Sequence, residues 1–423
     1  MMAVPTSRGA LVATLAGNTL EFYDFITYTF FAVYVGKAFF PTHSAFASLL
    51  LSVATFGVGF LTRPLGGALI GAYADRAGRK PALLLTIALM SLGTVGLAAT
   101  PGYATIGLAA PILLVAARLV QGLALGGEVG AASAVLLEAA PPGQEARYVS
   151  LQSLSQGVAT VLAGLVGLTL ALVMTPAQLA GWGWRVAFAA GLVLVPVGLY
   201  LRRALPETLG EARHGSAGAV LGSVLREQWR EVVLVMMITM CMTVSTYVLT
   251  FMTTYALTAL ALSPRAALVA PLVVGATSII GALLGGPLCV RFGNRRTMVV
   301  SRVLTVLVTV PAFLLVLRYP SLGSLVAMIS VIGLVTTPGV VAALTVMAEV
   351  FPAERRASGI AITYALTVTI FGASTQVVIT WLIEVTGSRL APALYVVATS
   401  LISILAMLRL PAAPAARATH VSA

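Results

Sequence analysis

Apolar stretches of eighteen or more residues recur along this chain, separated by short runs of proline, glycine and basic residues. Each stretch suits a helix crossing a hydrocarbon layer roughly 30 Å thick. The pattern predicts twelve spans, at 10–39, 46–74, 81–100, 106–139, 148–173, 184–203, 231–259, 265–290, 298–317, 322–350, 357–383 and 391–409. Breaks fall at Pro41, Pro101-Gly102, Pro141-Pro142-Gly143, Pro176, Ser263-Pro264, Tyr319-Pro320, Pro352 and Gly387. The longest polar piece, 205–230, lies between spans six and seven. The expected fold is therefore an all-α polytopic membrane protein with twelve transmembrane helices in two pseudo-symmetric six-helix bundles. The bundles are 1–204 and 231–423, the second with a short tail, joined by the linker 205–230.

Two polar loops repeat and support the duplication. Gly71-Ala-Tyr-Ala-Asp75-Arg76-Ala-Gly78-Arg79-Lys80 returns 215 residues on as Gly286-Pro-Leu-Cys-Val-Arg291-Phe-Gly293-Asn-Arg295-Arg296. Glu138-Ala-Ala-Pro141 returns as Glu349-Val-Phe-Pro352. Basic loops alone would explain the bases, but not the shared glycine frame or the shared Glu-x-x-Pro.

Composition narrows the function classes. The chain has 423 residues, 59% of them hydrophobic, and a mean hydropathy of +1.01, too apolar for a soluble domain. The net charge of +12 suggests nucleic acid only until the bases are placed. With a cytoplasmic N-terminus, eighteen bases fall on the cytoplasmic side, Arg302 among them, and five on the other, so both termini should face the cytoplasm. The start of the chain is a poor signal peptide, because its first apolar run contains Glu21 and Asp24. Cys241 and Cys289 lie in apolar segments with no metal or disulfide spacing, and His43, His214 and His420 are scattered. No catalytic constellation, metal site, cofactor or nucleotide loop is expected, and no nucleic-acid partner. The lipid bilayer and a small solute are the expected partners of a monomer.

Charges inside spans need a purpose, since each costs roughly 2.5–3.5 kcal/mol at the bilayer centre. Glu21 and Asp24 in span one, Arg63 in span two and Arg118 in span four fall at similar depth, about 14–21 Å from a helix end at ~1.5 Å per residue. Glu128 lies closer to the boundary. Arg63 and Arg118 suit a carboxylate, because guanidinium forks match it with two parallel hydrogen bonds. Gln121 shares a helix face with Arg118. Glu21, Asp24 and Glu128 are the candidates for cation coupling, with the proton or sodium as the ion. Gln152, Gln156, Tyr255 and Tyr364 are further candidates for lining a polar cavity between the halves. Buried ion pairs locking helices together are the structural alternative.

These motifs resemble the major facilitator superfamily: the 71–80 loop, Arg118-Leu-Val-Gln121-Gly122, and Leu205-Pro206-Glu207-Thr208. Within it the chain is similar to the metabolite:proton symporters. The carriers are Gly17-Asn18-Thr-Leu-Glu21-Phe-Tyr23-Asp24-Phe25, Thr62-Arg63-Pro64-Leu-Gly66-Gly67, Gly126-Gly127-Glu128 and Trp182-Gly183-Trp184-Arg185. Pro101-Gly102-Tyr103 and Gly59 to Pro64 resemble the bacterial citrate and tricarballylate carriers. The resemblance implies alternating access in a bacterial inner membrane, with import of an organic anion such as citrate. Shikimate, 2-oxoglutarate, proline and betaine are the alternative cargoes. It also implies a gate at Gly71, Asp75, Arg76, Gly78, Arg79 and Lys80. Val290 stands where the second copy would have its acidic latch, so the first loop should carry most of the gating. A multidrug exporter and a polytopic membrane enzyme or receptor are the rivals; the first would need aromatic-rich cavity walls, and only 7% of residues are aromatic, while the second would need a reactive constellation or a sizeable soluble domain.

Overall fold

The computed structural model describes residues 8–77, 79–126, 136, 139–141, 143–203, 226–351 and 356–409. Among the described residues every regular element is helical. The longer helices of the first half are α1 Arg8–Phe30, α2 Ala32–Phe39, α3 Ala45–Leu61, α4 Arg63–Ala77, α5 Arg79–Ala99, α6 Ala109–Gly126, α7 Glu145–Val173 and α8 Trp184–Arg203. Those of the second are α9 Trp229–Thr250, α10 Met252–Thr258, α11 Ala270–Phe292, α12 Asn294–Arg318, α13 Leu322–Val350, α14 Arg356–Thr367, α15 Ala373–Thr386 and α16 Ala391–Leu408. Nine segments among the described residues are long and apolar enough to cross a membrane. Of the expected spans, 10–39, 81–100 and 184–203 are helical but fall outside these nine. The first carries two carboxylates in its middle. Most of the linker, 204–225, lies outside the described residues, and α9 begins at Trp229.

Several expected spans are interrupted. Span one breaks at Phe31, span two at Thr62 and span seven at Phe251, and span eleven contains a π-helical turn, Val368–Gly372. The break at Thr62 has a chemical cause. Pro64 has no N–H, so the carbonyl of Phe60 loses its helical donor. The hydroxyl of Thr369, in the π turn of the second half, donates to that carbonyl at 3.1 Å. A defect on one half is thus filled by the other.

The motif glycines bring the arginine-bearing helices into backbone contact. A Cβ on Gly122 would stand 1.8 Å from the Gly59 carbonyl, one on Gly66 2.1 Å from that of Leu123, and one on Gly126 2.0 Å from that of Arg63. Small residues permit such approach where lipid supplies no hydrophobic drive. Gly122→Val is therefore expected to cost about 1–3 kcal/mol of stability, read as a lowered melting temperature in detergent. Gly71→Ala should be neutral, since nothing lies within 4 Å of its Cβ position.

The halves also meet through glycine. A Cβ on Gly275 of α11 would stand 2.7 Å from the Gly157 carbonyl of α7, and one on Gly57 of α3 2.6 Å from that of Ala373. In the second half the two repeated motifs join: Asn294 Nδ2 donates to Glu349 Oε1 at 2.5 Å, beside the turn at Gly293, where φ is 86°. Arg302, one of the bases assigned to the cytoplasmic side, is fully buried on α12, about two helical turns from the turn at Gly293.

Candidate functional site

Arg63 opens α4 immediately after the break at Thr62. Phe60 and Phe56 precede it by three and seven residues, a spacing that puts all three on one face. The guanidinium carbon of Arg63 lies 4.1 Å from the centre of the Phe60 ring and 4.6 Å from that of Phe25. Arg118 on α6 is fully buried, 4.6 Å from the Tyr28 ring and 5.1 Å from each of Phe25 and Phe56. Phe25 of α1 therefore touches both cations. Aromatic faces attract a desolvated cation by about 2 kcal/mol, which offsets part of the burial of these charges.

The two arginines are held differently. Arg118 Nη1 donates to Gln121 Oε1 at 2.7 Å, and its Nη2 reaches the Phe56 carbonyl at 3.5 Å. Arg63 keeps Nε and Nη2 buried without a hydrogen-bond partner. Unsatisfied buried donors of a charged group are costly, and a carboxylate would accept them in a two-point fork. The Tyr364 and Tyr247 hydroxyls lie within electrostatic reach of Arg63.

Between the halves lies a cavity of about 60 Å³. Phe22, Phe25, Ile26 and Gln156 line it from the first half, and Tyr247, Thr250 and Ser278 from the second. This space holds a few waters and is too small for a tricarboxylate.

Asp24, a candidate for cation coupling, does not line this cavity. It is buried inside the first half, because Phe22, Phe25 and Ile26 take the cavity-facing side of α1. Its Oδ2 accepts from Thr94 Oγ1 of α5 at 2.8 Å, and its Oδ1 points at Gly191 of α8. Gln121 Nε2 donates to the same Thr94 oxygen at 3.1 Å. A continuous hydrogen-bonded chain thus runs from Asp24 through Thr94 and Gln121 to Arg118. Glu21 and Gln152 are buried on α1 and α7. Asn18 donates to Ser155 at 2.6 Å beside them.

Tyr255 is not brought to this cluster. Its hydroxyl donates to the Arg389 carbonyl at 2.8 Å and its ring packs on Phe313, inside the second half, because the break at Phe251 separates its helix from α9. Glu128 and Gly78 lie outside the described residues, as do the side chains of Asp75, Arg76, Arg79 and Lys80. Gly71 lies within α4, which runs unbroken from Arg63 to Ala77. The Trp-Gly-Trp-Arg motif has a packing role: Arg185 stacks 4.2 Å from the Trp184 ring and donates to the Thr100 carbonyl at 2.9 Å, tying α8 to the end of α5.

The sequence matches the Major Facilitator Superfamily over residues 14–366 and 273–422. The chain belongs to that superfamily. It is a transporter, not an enzyme. It is 35% identical over 401 residues to a citrate-proton symporter of Klebsiella pneumoniae, covering 94% of this chain and 90% of that one. It is 34% identical to the alpha-ketoglutarate permease of Escherichia coli K12, covering 87% and 86%. Over 49% of its length it is 40% identical to the shikimate transporter of the same strain, covering 48% of that protein. Two solved structures share the superfamily fold. A D-xylose-proton symporter superposes with a TM-score of 0.73 at 17% identity, covering 95% and 96%. The Escherichia coli xylose transporter in a partially occluded inward-open conformation gives 0.72, also at 17%, covering 95% and 97%.

Proposed function

We propose that this chain is a secondary-active symporter that imports an organic anion, a citrate-like tri- or dicarboxylate, together with protons. It works by alternating access between two six-helix bundles, 1–204 and 231–423, in a bacterial inner membrane, with both termini cytoplasmic. The observation that carries the reading is Arg63: a buried guanidinium with spare donors, beside a second buried guanidinium, close to a cavity between the halves. Relatives named for citrate and alpha-ketoglutarate support a carboxylate cargo. Arg63 and Arg118 receive carboxylates, with Gln121 fixing Arg118. Gln156 and Tyr364 contribute polar contacts. Asp24 carries the coupling proton, with Glu21 on the same helix. The unbroken α4 links Arg63 to the gate at Asp75.

The exporter reading meets a new fact. Four aromatic rings, Phe25, Tyr28, Phe56 and Phe60, lie against the two arginines, so overall aromatic content does not exclude it. The two cations among those rings do, since a wall for greasy cations would repel them.

A melting-temperature screen of the purified protein against mono-, di- and tricarboxylates tests the cargo class. A ligand at about 100 times its Kd should stabilise by about 2.7 kcal/mol. Stabilisation by citrate-like anions is the expected result. Stabilisation by betaine or xylose alone would sink the carboxylate reading.

A further inference from the structure

Thr94 of α5 faces α1 and α6 together. Its Oγ1 lies 2.8 Å from Asp24 Oδ2, 3.1 Å from Gln121 Nε2 and 3.0 Å from the Met90 carbonyl. A threonine hydroxyl has one proton to give and two lone pairs to offer. The Gln121 amide occupies one lone pair. The proton has two acceptors in reach, Asp24 and Met90, and can serve one at a time.

That choice follows the charge on Asp24. An ionised carboxylate only accepts, so Thr94 must donate to it. When a hydronium delivers its proton to Oδ2, the new O–H becomes a donor. Thr94 then turns its own proton to the Met90 carbonyl and takes the Asp24 proton on its second lone pair. The O–H bond on Asp24 is the only covalent bond formed, and the hydronium loses the matching one and leaves as water. Every polar atom of Thr94 is paired in both states, with the heavy atoms in place.

We propose that Thr94 is a positioning residue for proton coupling, its hydroxyl rotating between Asp24 and Met90 so that Asp24 gains and loses a proton while the Gln121–Arg118 arm stays fixed. The proposal rests on Asp24 as the coupling carboxylate. Two further observations support it. Asp24 Oδ1 is buried without a partner, which leaves Thr94 as the polar contact seen for this carboxyl. A Cβ on Gly93 would stand 2.4 Å from Gln121 Cγ, so α5 presses directly on the arm. Glu21, Tyr23 and Tyr28 are the titratable neighbours of Asp24 on its own helix, Arg118 of α6 is the basic group within its electrostatic reach, and Arg63 of α4 and Tyr247 of α9 act on Arg118 in turn. The described charged side chains of α7 and α8 lie at helix ends, at Glu145, Arg147 and Arg185.

Infrared titration of the purified protein without substrate tests this. The Asp24 carboxyl band is assigned by its disappearance in Asp24→Asn. A hydrogen bond to a charged group is worth about one pH unit or more, so Thr94→Val should move the midpoint by at least that amount. Thr94→Ser keeps the hydroxyl and should return it to within about 0.3 unit of wild type. Thr94→Ala supplies the same readout if valine is not accommodated. A midpoint unmoved by loss of the hydroxyl, or moved equally by serine, would overturn the proposal. Because no transport is measured, a wrong symport reading and a wrong role for Thr94 give separate failures.

Discussion

Arg63→Gln is expected to weaken carboxylate binding about 100-fold or more while the protein remains folded. Removing one partner of a buried, hydrogen-bonded charge pair costs about 2–5 kcal/mol, and the ligand carboxylates would be the other partner. The fold should survive because Nε and Nη2 of Arg63 have no hydrogen-bond partner, and the Tyr247 hydroxyl, which the guanidinium does reach, can bond to the glutamine amide instead. Arg118 differs. Its replacement by glutamine strips Gln121 Oε1 of its donor and should lower stability as well as binding. Lysine at position 63 should recover little, since a point charge cannot make the two-point fork. Titration calorimetry with citrate and a parallel melting curve separate the two effects. Wild-type affinity in a folded Arg63→Gln protein would make Arg63 structural.

Asp24→Asn is expected to abolish gradient-driven accumulation, at least about tenfold, yet leave exchange of labelled for unlabelled substrate. Asparagine keeps the shape and can still accept from Thr94, so the chain to Arg118 persists. It cannot carry a proton, so the coupled step is lost and the uncoupled one remains. Glu21→Gln is the matched comparison. Loss of accumulation there, with Asp24→Asn unaffected, would move the coupling role one turn along α1.

Much of this architecture was legible in the sequence. Spans, repeated loops and the two deep arginines follow from hydropathy and from the cost of charge in lipid. The ring stacked on Arg63 follows from spacing too, since Phe60 stands three residues before it on the same face. Other features were hidden for physical reasons. Nothing distinguishes Thr94 from the many membrane threonines that bond to their own helix, and its second and third partners come from α1 and α6. The facing of Asp24 depends on the rotation of α1, which a helix with few clear polar faces does not fix. Tyr255 misled because a hydroxyl near a helix end is equally at home in a cavity or against a carbonyl, here that of Arg389.

The central claim is that a proton gradient does work on a carboxylate through this site. Its most direct test is uptake of labelled citrate into proteoliposomes under an imposed inward proton gradient, with and without sodium. The expected result is transient accumulation above the outside concentration, collapsed by a protonophore and indifferent to sodium. Citrate that merely equilibrates, whatever the proton gradient, would contradict it.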